Sequence, residues 1–134
     1  MVTKTDVAKK IKVLVIDDDR FLAQIYILTL KKVGYEVLLM ENGTDGLEAA
    51  KKEKPDAIIL DILMPGIDGF QVLRELKKSE KTKDIPVIML TSLSQKEDEE
   101  MGMRGGAQAF LTKSTTLPDD VVKQLKKLLA EKKK

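Results

Sequence analysis

The sequence predicts an α/β domain of the (βα)5 kind, built on a doubly wound, parallel five-stranded sheet. Three observations carry that prediction. Short β-rich runs alternate five times with helical stretches. The first, third and fourth runs are continuously apolar, as strands covered on both faces are. The length of 134 residues suits one domain with one real core, closed by right-handed crossovers.

Strand one is Lys12–Ile16 (KVLVI), and after it Phe21, Ile25 and Leu28 recur at helical spacing. Strand two is Tyr35–Met40; the helix that follows ends at Pro55 and carries Gly46 where an alanine would serve better. Strand three is Ala57–Leu60 (AIIL). Asp68-Gly69 is turn chemistry, with Asp68 capping a third helix over Gly69–Lys78 that carries Phe70, Leu73 and Leu76. Pro86 stands before strand four, Val87–Leu90 (VIML), where a missing N–H is tolerable. The fourth helix, Lys96–Arg104, opens on an acidic run, Glu97 to Glu100, that suits a helix dipole. Gly102 weakens it, glycine costing about 1 kcal/mol against alanine, and Gly105-Gly106 close it. Strand five is Ala109–Thr112, and Val121, Leu125 and Leu128 mark the last helix. Residues 1–10 read as an N-terminal extension, 11–130 as the domain and 131–134 as a frayed basic end. The pattern does not fix strand order; the flavodoxin-like order 2-1-3-4-5 is a common solution and the one expected.

Composition removes several function classes. The 24 basic and 22 acidic residues leave a net charge of +2, without the concentrated basic face that nucleic acid requires. Cysteine and histidine are both absent, which excludes disulfides, thiolate metal sites, imidazole acid–base catalysis and most zinc or haem chemistry. No apolar run approaches the ~20 residues that span a bilayer, and Met1 to Lys10 show no secretory signal, so a cytoplasmic location without membrane insertion is expected. Chemistry is left to carboxylates, hydroxyls, lysines and a hard cation.

The unusual polar residues sit where open α/β sheets bind ligands, just past carboxyl ends of strands. Asp17, Asp18 and Asp19 follow strand one, Asp61 follows strand three, Thr91 and Ser92 follow strand four, and Lys113 follows strand five. In the expected order Asp61 lies between the acidic group and Thr91, each about 5 Å away, and Lys113 starts about 10 Å off, a gap its long stem can bridge. Three crowded carboxylates repel, a pair 4 Å apart by about 4 kcal/mol at an effective dielectric of ~20, and call for a counter-ion. Oxygen ligands alone favour Mg²⁺. A carboxylate beside Mg²⁺, an ammonium and a hydroxyl is suited to forming an aspartyl phosphate. Asp19 reads as a helix cap rather than a ligand.

VLVIDDD, AIILDILMPGIDG, IPVIMLTS and AFLTK, in that order and spacing, resemble the motifs of response-regulator receiver domains, from about Ile11 to Leu129. The resemblance implies a stand-alone switch of two-component signalling with Asp61 as phosphoacceptor. It implies Mg²⁺ held by Asp17, Asp18, Asp61 and the Leu63 backbone carbonyl, Thr91 as switch hydroxyl, Phe110 as switch aromatic, and Lys113 as the phosphoryl-binding lysine. The implied partners are a histidine kinase or His-phosphotransfer protein and a downstream effector that meets the face of the fourth helix, fifth strand and last helix.

Two departures from the family pattern stand out. Lys113 is followed by Ser114 where the family has proline after a cis bond; a cis bond to serine costs about 3 kcal/mol, so a trans bond with an altered loop or a strained exception is expected. Leu63 and Leu93, two residues past Asp61 and Thr91, cannot orient an attacking water, which predicts slow loss of the phosphoryl group. The rival readings are a haloacid-dehalogenase-like phosphohydrolase with Asp17 as nucleophile, a flavodoxin-type cofactor binder, and a receiver that signals by binding alone. The first leaves DILMPGIDG unexplained, and the second needs a Ser/Thr/Gly-rich loop where IDDDRF stands.

Overall fold

In the computed structural model, which describes residues 10–132, β1 (Lys12–Ile16) leads into α1 (Arg20–Lys32), β2 (Glu36–Met40) into α2 (Gly43–Glu53), and β3 (Ala57–Leu60) into α3 (Gly69–Lys78). Then β4 (Val87–Thr91) precedes α4 (Lys96–Arg104), and β5 (Ala109–Thr112) runs through a 3₁₀ turn at Lys113–Thr115 into α5 (Pro118–Lys132). Most of the N-terminal extension, residues 1–9, and residues 133–134 of the basic end lie outside the described residues. The strands are parallel in the order β2-β1-β3-β4-β5, the order expected. Among the described residues no helix is long and apolar enough to cross a membrane.

Side-chain alternation along each strand makes two cores, one per face of the sheet. Val13, Val15, Ile59, Ile88 and Leu90 pack against α1 and α5; Leu14, Ile16, Ile58, Leu60 and Met89 pack against α2 and α3. The apolar runs of the central strands are therefore buried on both sides. Strand β2 starts one residue later than expected, because the Tyr35 N–H still donates to the Leu30 carbonyl at the end of α1. Strand β4 runs one residue further, since Thr91 pairs with Thr112.

Helix α1 forms over the apolar spacing seen in the sequence but turns those residues outward, and two expectations about glycines in helices fail. Phe21, Ile25 and Leu28 do not face the core: they are 86%, 55% and 55% exposed. Asp19 caps α1, and the stripe that packs on the sheet and α5 is Ala23, Tyr26, Ile27 and Leu30. The helix carries apolar residues on two faces, and periodicity picked the outer one. Gly46 is not a position for alanine, since a Cβ there would sit 2.6 to 2.9 Å from the fully buried Ile16 side chain. Nor is Gly102 a weak point in α4. It is the buried residue of that helix, and its missing side chain lets α4 close on Met89 and Phe110.

Candidate functional site

The register aligns Ile16 with Leu60 and Leu60 with Met89, so β1 and β3 end level while β4 runs two residues further to Thr91, and the residues at these strand ends share one rim. The Asp17 N–H donates to the Met40 carbonyl, and the Asp61 N–H to the Ile16 carbonyl, carrying the ladder one step beyond the strands. Asp17 and Asp61 are thereby buried at the sheet's edge, while Asp18 is exposed. One carboxylate oxygen from each of Asp17, Asp18 and Asp61 lies within 4.8 Å of the other two, so three hard oxygens converge as a hard cation requires. The donor set fits a divalent cation of the Mg²⁺ or Mn²⁺ type; thiolate or imidazole, which would favour zinc, has no source in this chain.

Lys113 spans the distance from β5. Its ammonium donates to Asp61 Oδ2 at 3.0 Å and lies 2.9 Å from Asp17 Oδ2, so one cation bridges two carboxylates. The Asp61 Oδ1 accepts the Ile62 N–H at 2.7 Å. Asp17 is held on both oxygens: Oδ1 accepts the Asp19 N–H at 2.9 Å, and Oδ2 accepts the Tyr26 hydroxyl at 3.0 Å as well as the lysine. Burial holds the Asp17 carboxyl above its ordinary range, with the neighbouring Asp61 charge adding to it; the hydrogen bonds from Lys113 and Asp19 offset only part. Burial alone would lower Lys113, but the bonds and charges of Asp17 and Asp61 outweigh it and hold the ammonium above the usual lysine range.

The remaining residues singled out in the sequence are placed as follows. Thr91 is buried at the tip of β4, beside β3, and its hydroxyl accepts the Leu93 N–H at 3.3 Å. Phe110 lies on β5, half-buried, its ring against Gly102 of α4. Leu63 is exposed in the loop after β3. Asp19 is the N-cap of α1, accepting the Leu22 N–H, and Asp68 caps α3 in a reciprocal capping box with Gln71. No peptide bond is cis among the described residues, so Lys113-Ser114 is trans, and the 3₁₀ turn that follows still delivers the ammonium to Asp61.

Two neighbours of the site escaped the sequence. In the sequence Gly69 reads only as a turn residue, yet a Cβ there would fall onto the Asp61 carbonyl oxygen and 2.6 Å from the Ile62 Cα. Only glycine lets α3 start this close to the acidic strand tip. Tyr26 lies nine residues from Asp17 and has no local motif; only the packing of α1 on the sheet brings its hydroxyl there.

Comparison with known proteins agrees with this geometry. The family model for the response regulator receiver domain matches residues 13–126. The chain is 45% identical over 104 residues to the protein PilH of Pseudomonas aeruginosa, covering 76% of this chain and 84% of that one. It is 39% identical over 119 residues to the DNA-binding dual master transcriptional regulator RpaA of Synechocystis sp., covering 89% of this chain but only 48% of RpaA. Among solved structures, the chemotaxis protein CheY4 of Vibrio cholerae superposes with a TM-score of 0.82 at 32% identity, over 89% of this chain and 98% of that one. On its fold, its convergent acidic rim and these matches, the chain belongs to the response-regulator receiver domain family.

Proposed function

We propose that the chain is a phosphoacceptor switch that takes a phosphoryl group from a phosphohistidine onto Asp61. The observation that supports it most is the convergence of the Lys113 ammonium and the Asp17 and Asp18 carboxylates on a buried aspartate at a strand tip. In the proposed transfer an Asp61 oxygen forms a bond to phosphorus while the N–P bond breaks, and the imidazole nitrogen keeps that electron pair. Asp17, Asp18, Asp61 and the Leu63 carbonyl would hold Mg²⁺, which when bound screens the negative charge of the phosphoryl oxygens. Lys113 already stands 3.0 Å from Asp61 and would pair with one of those oxygens. The Thr91 hydroxyl, on the adjacent strand and held only by a 3.3 Å bond to Leu93, is free to turn towards another. Phe110 packs on Gly102, so a shift of Thr91 and β5 would be felt by α4 and presented to an effector on the α4–β5–α5 face.

The phosphodonor is a histidine kinase or His-phosphotransfer protein. It must bring its imidazole over the rim, and α1 begins one residue past the Asp19 cap with Phe21, Leu22, Ile25 and Leu28 exposed beside it. That apolar ridge gives a donor helix its contact surface. The DNA binding in RpaA's name is not carried over, because the chain spans only about half of that protein. Asp17 is a poor alternative nucleophile, since its oxygens already accept three donors. With Leu63 and Leu93 apolar at the two positions flanking the site, the phosphoryl group is expected to persist for minutes or longer. Incubation with an acyl phosphate and Mg²⁺, read by intact mass, should add one phosphoryl group to the wild type and none to Asp61→Asn. Equal labelling of both would refute the proposal.

A further inference from the structure

Building on the phosphoacceptor role proposed above, we infer that Tyr26 is a positioning residue of the site, its hydroxyl fixing the Asp17 carboxylate and thereby setting the affinity for the divalent cation. Tyr26 is 6% exposed on the inner face of α1. Its ring lines a small apolar cavity with Leu22, Ile25, Leu90 and Val121. Its hydroxyl donates to Asp17 Oδ2 at 3.0 Å, the same oxygen that the Lys113 ammonium approaches at 2.9 Å.

Two consequences follow from that shared oxygen. The Asp17 carboxylate cannot rotate without breaking the tyrosine bond or the Asp19 N–H bond on its other oxygen. Its presentation to Asp18 and Asp61 is therefore set from α1, in the way outer partners orient metal ligands. Tyrosine also shares Oδ2 with lysine, drawing charge from the oxygen that the ammonium contacts, and that ammonium reaches Asp61 as well. A phenylalanine at position 26 would fill nearly the same space between the sheet and α5 and supply neither effect. Packing alone does not account for the hydroxyl.

The test compares Mg²⁺ titrations of the full chain and Tyr26→Phe without phosphodonor, followed by calorimetry, with thermal melts alongside. Tyr26→Phe should keep a cooperative melt and bind Mg²⁺ about tenfold more weakly. In an Asp17→Asn background the same substitution should change the dissociation constant less than twofold, because the group it acts through is gone. A wild-type dissociation constant retained within twofold in Tyr26→Phe, whatever its melt, would overturn the inference and leave the phosphoacceptor role standing. A wild type that binds no Mg²⁺ would overturn both. The chain has two tyrosines and no tryptophan, so Tyr35→Phe isolates the Tyr26 absorbance. That absorbance should shift along the Mg²⁺ titration with the calorimetric dissociation constant, and an unchanged spectrum would also overturn the inference.

Discussion

Helices α1 and α3 make opposite use of their apolar residues. In α3, Val72, Leu73 and Leu76 are buried against the sheet and the opposite face is charged. In α1 the inner stripe is filled by Ala23, Tyr26, Ile27 and Leu30, and a second apolar stripe of Phe21, Ile25 and Leu28 faces outward. A helix that only supports the core needs one such stripe; a second one, starting beside the acidic rim, points to a surface kept for a partner. On the function proposed above, the difference would separate residues that stabilise the core from residues that meet the phosphodonor.

The largest expected effect breaks the comparison if it fails. Leu76→Ala removes a fully buried side chain and should cost about 3 kcal/mol in urea unfolding, whereas Ile25→Ala should stay within about 0.5 kcal/mol of wild type. The same Ile25→Ala should slow phosphotransfer from a histidine kinase while leaving acyl-phosphate labelling unchanged. Equal stability losses in the two helices, or no effect on kinase transfer, would erase the distinction.

A smaller effect sharpens it at α2. Helix propensity alone predicts that Gly46→Ala stabilises by up to about 1 kcal/mol. The approach to Ile16 predicts the opposite sign, a loss of about 1–3 kcal/mol measured by the shift in urea midpoint.

The fold was legible because its evidence is local: apolar runs such as AIIL and VIML, and caps such as Asp19 and Asp68, act within a few residues. What was illegible needs knowledge of what lies opposite. Whether Phe21 or Ala23 faces inward depends on what α1 packs against, and both stripes obey the same spacing. Gly46 and Gly102 look like weak helix residues, and Gly69 like a turn residue, until Ile16, Phe110 and the Asp61 carbonyl are seen where a Cβ would go. The convergence of Asp17, Asp18, Asp61 and Lys113 is legible because each follows a strand and strand tips meet; Tyr26 follows nothing, and its hydroxyl arrives through tertiary packing alone.

The smallest expected effect is a dependence on pH at the same rim. The folded state holds Lys113 above its ordinary value of 10.5, so its contribution to stability is complete below that pH and is lost as pH rises through the folded value. Urea midpoints measured from pH 9 upward should fall, and Lys113→Met should flatten the part of that slope due to this residue. An unchanged slope in Lys113→Met would place the alkaline loss elsewhere. Asp17 works in the other direction. Held above its usual 3.8 by burial, its ionised form weighs against folding as pH rises through the carboxylate range, a cost that Mg²⁺ at ten times its dissociation constant would offset by about 1.4 kcal/mol.

The most direct measurement locates the transferred group. After labelling with an acyl phosphate and Mg²⁺, borohydride reduces an aspartyl phosphate to homoserine, and peptide sequencing by mass spectrometry reads its position. Homoserine is expected at position 61, with aspartate retained at 17, 18 and 19. Homoserine at position 17, or no conversion at 61 in phosphorylated protein, would contradict it.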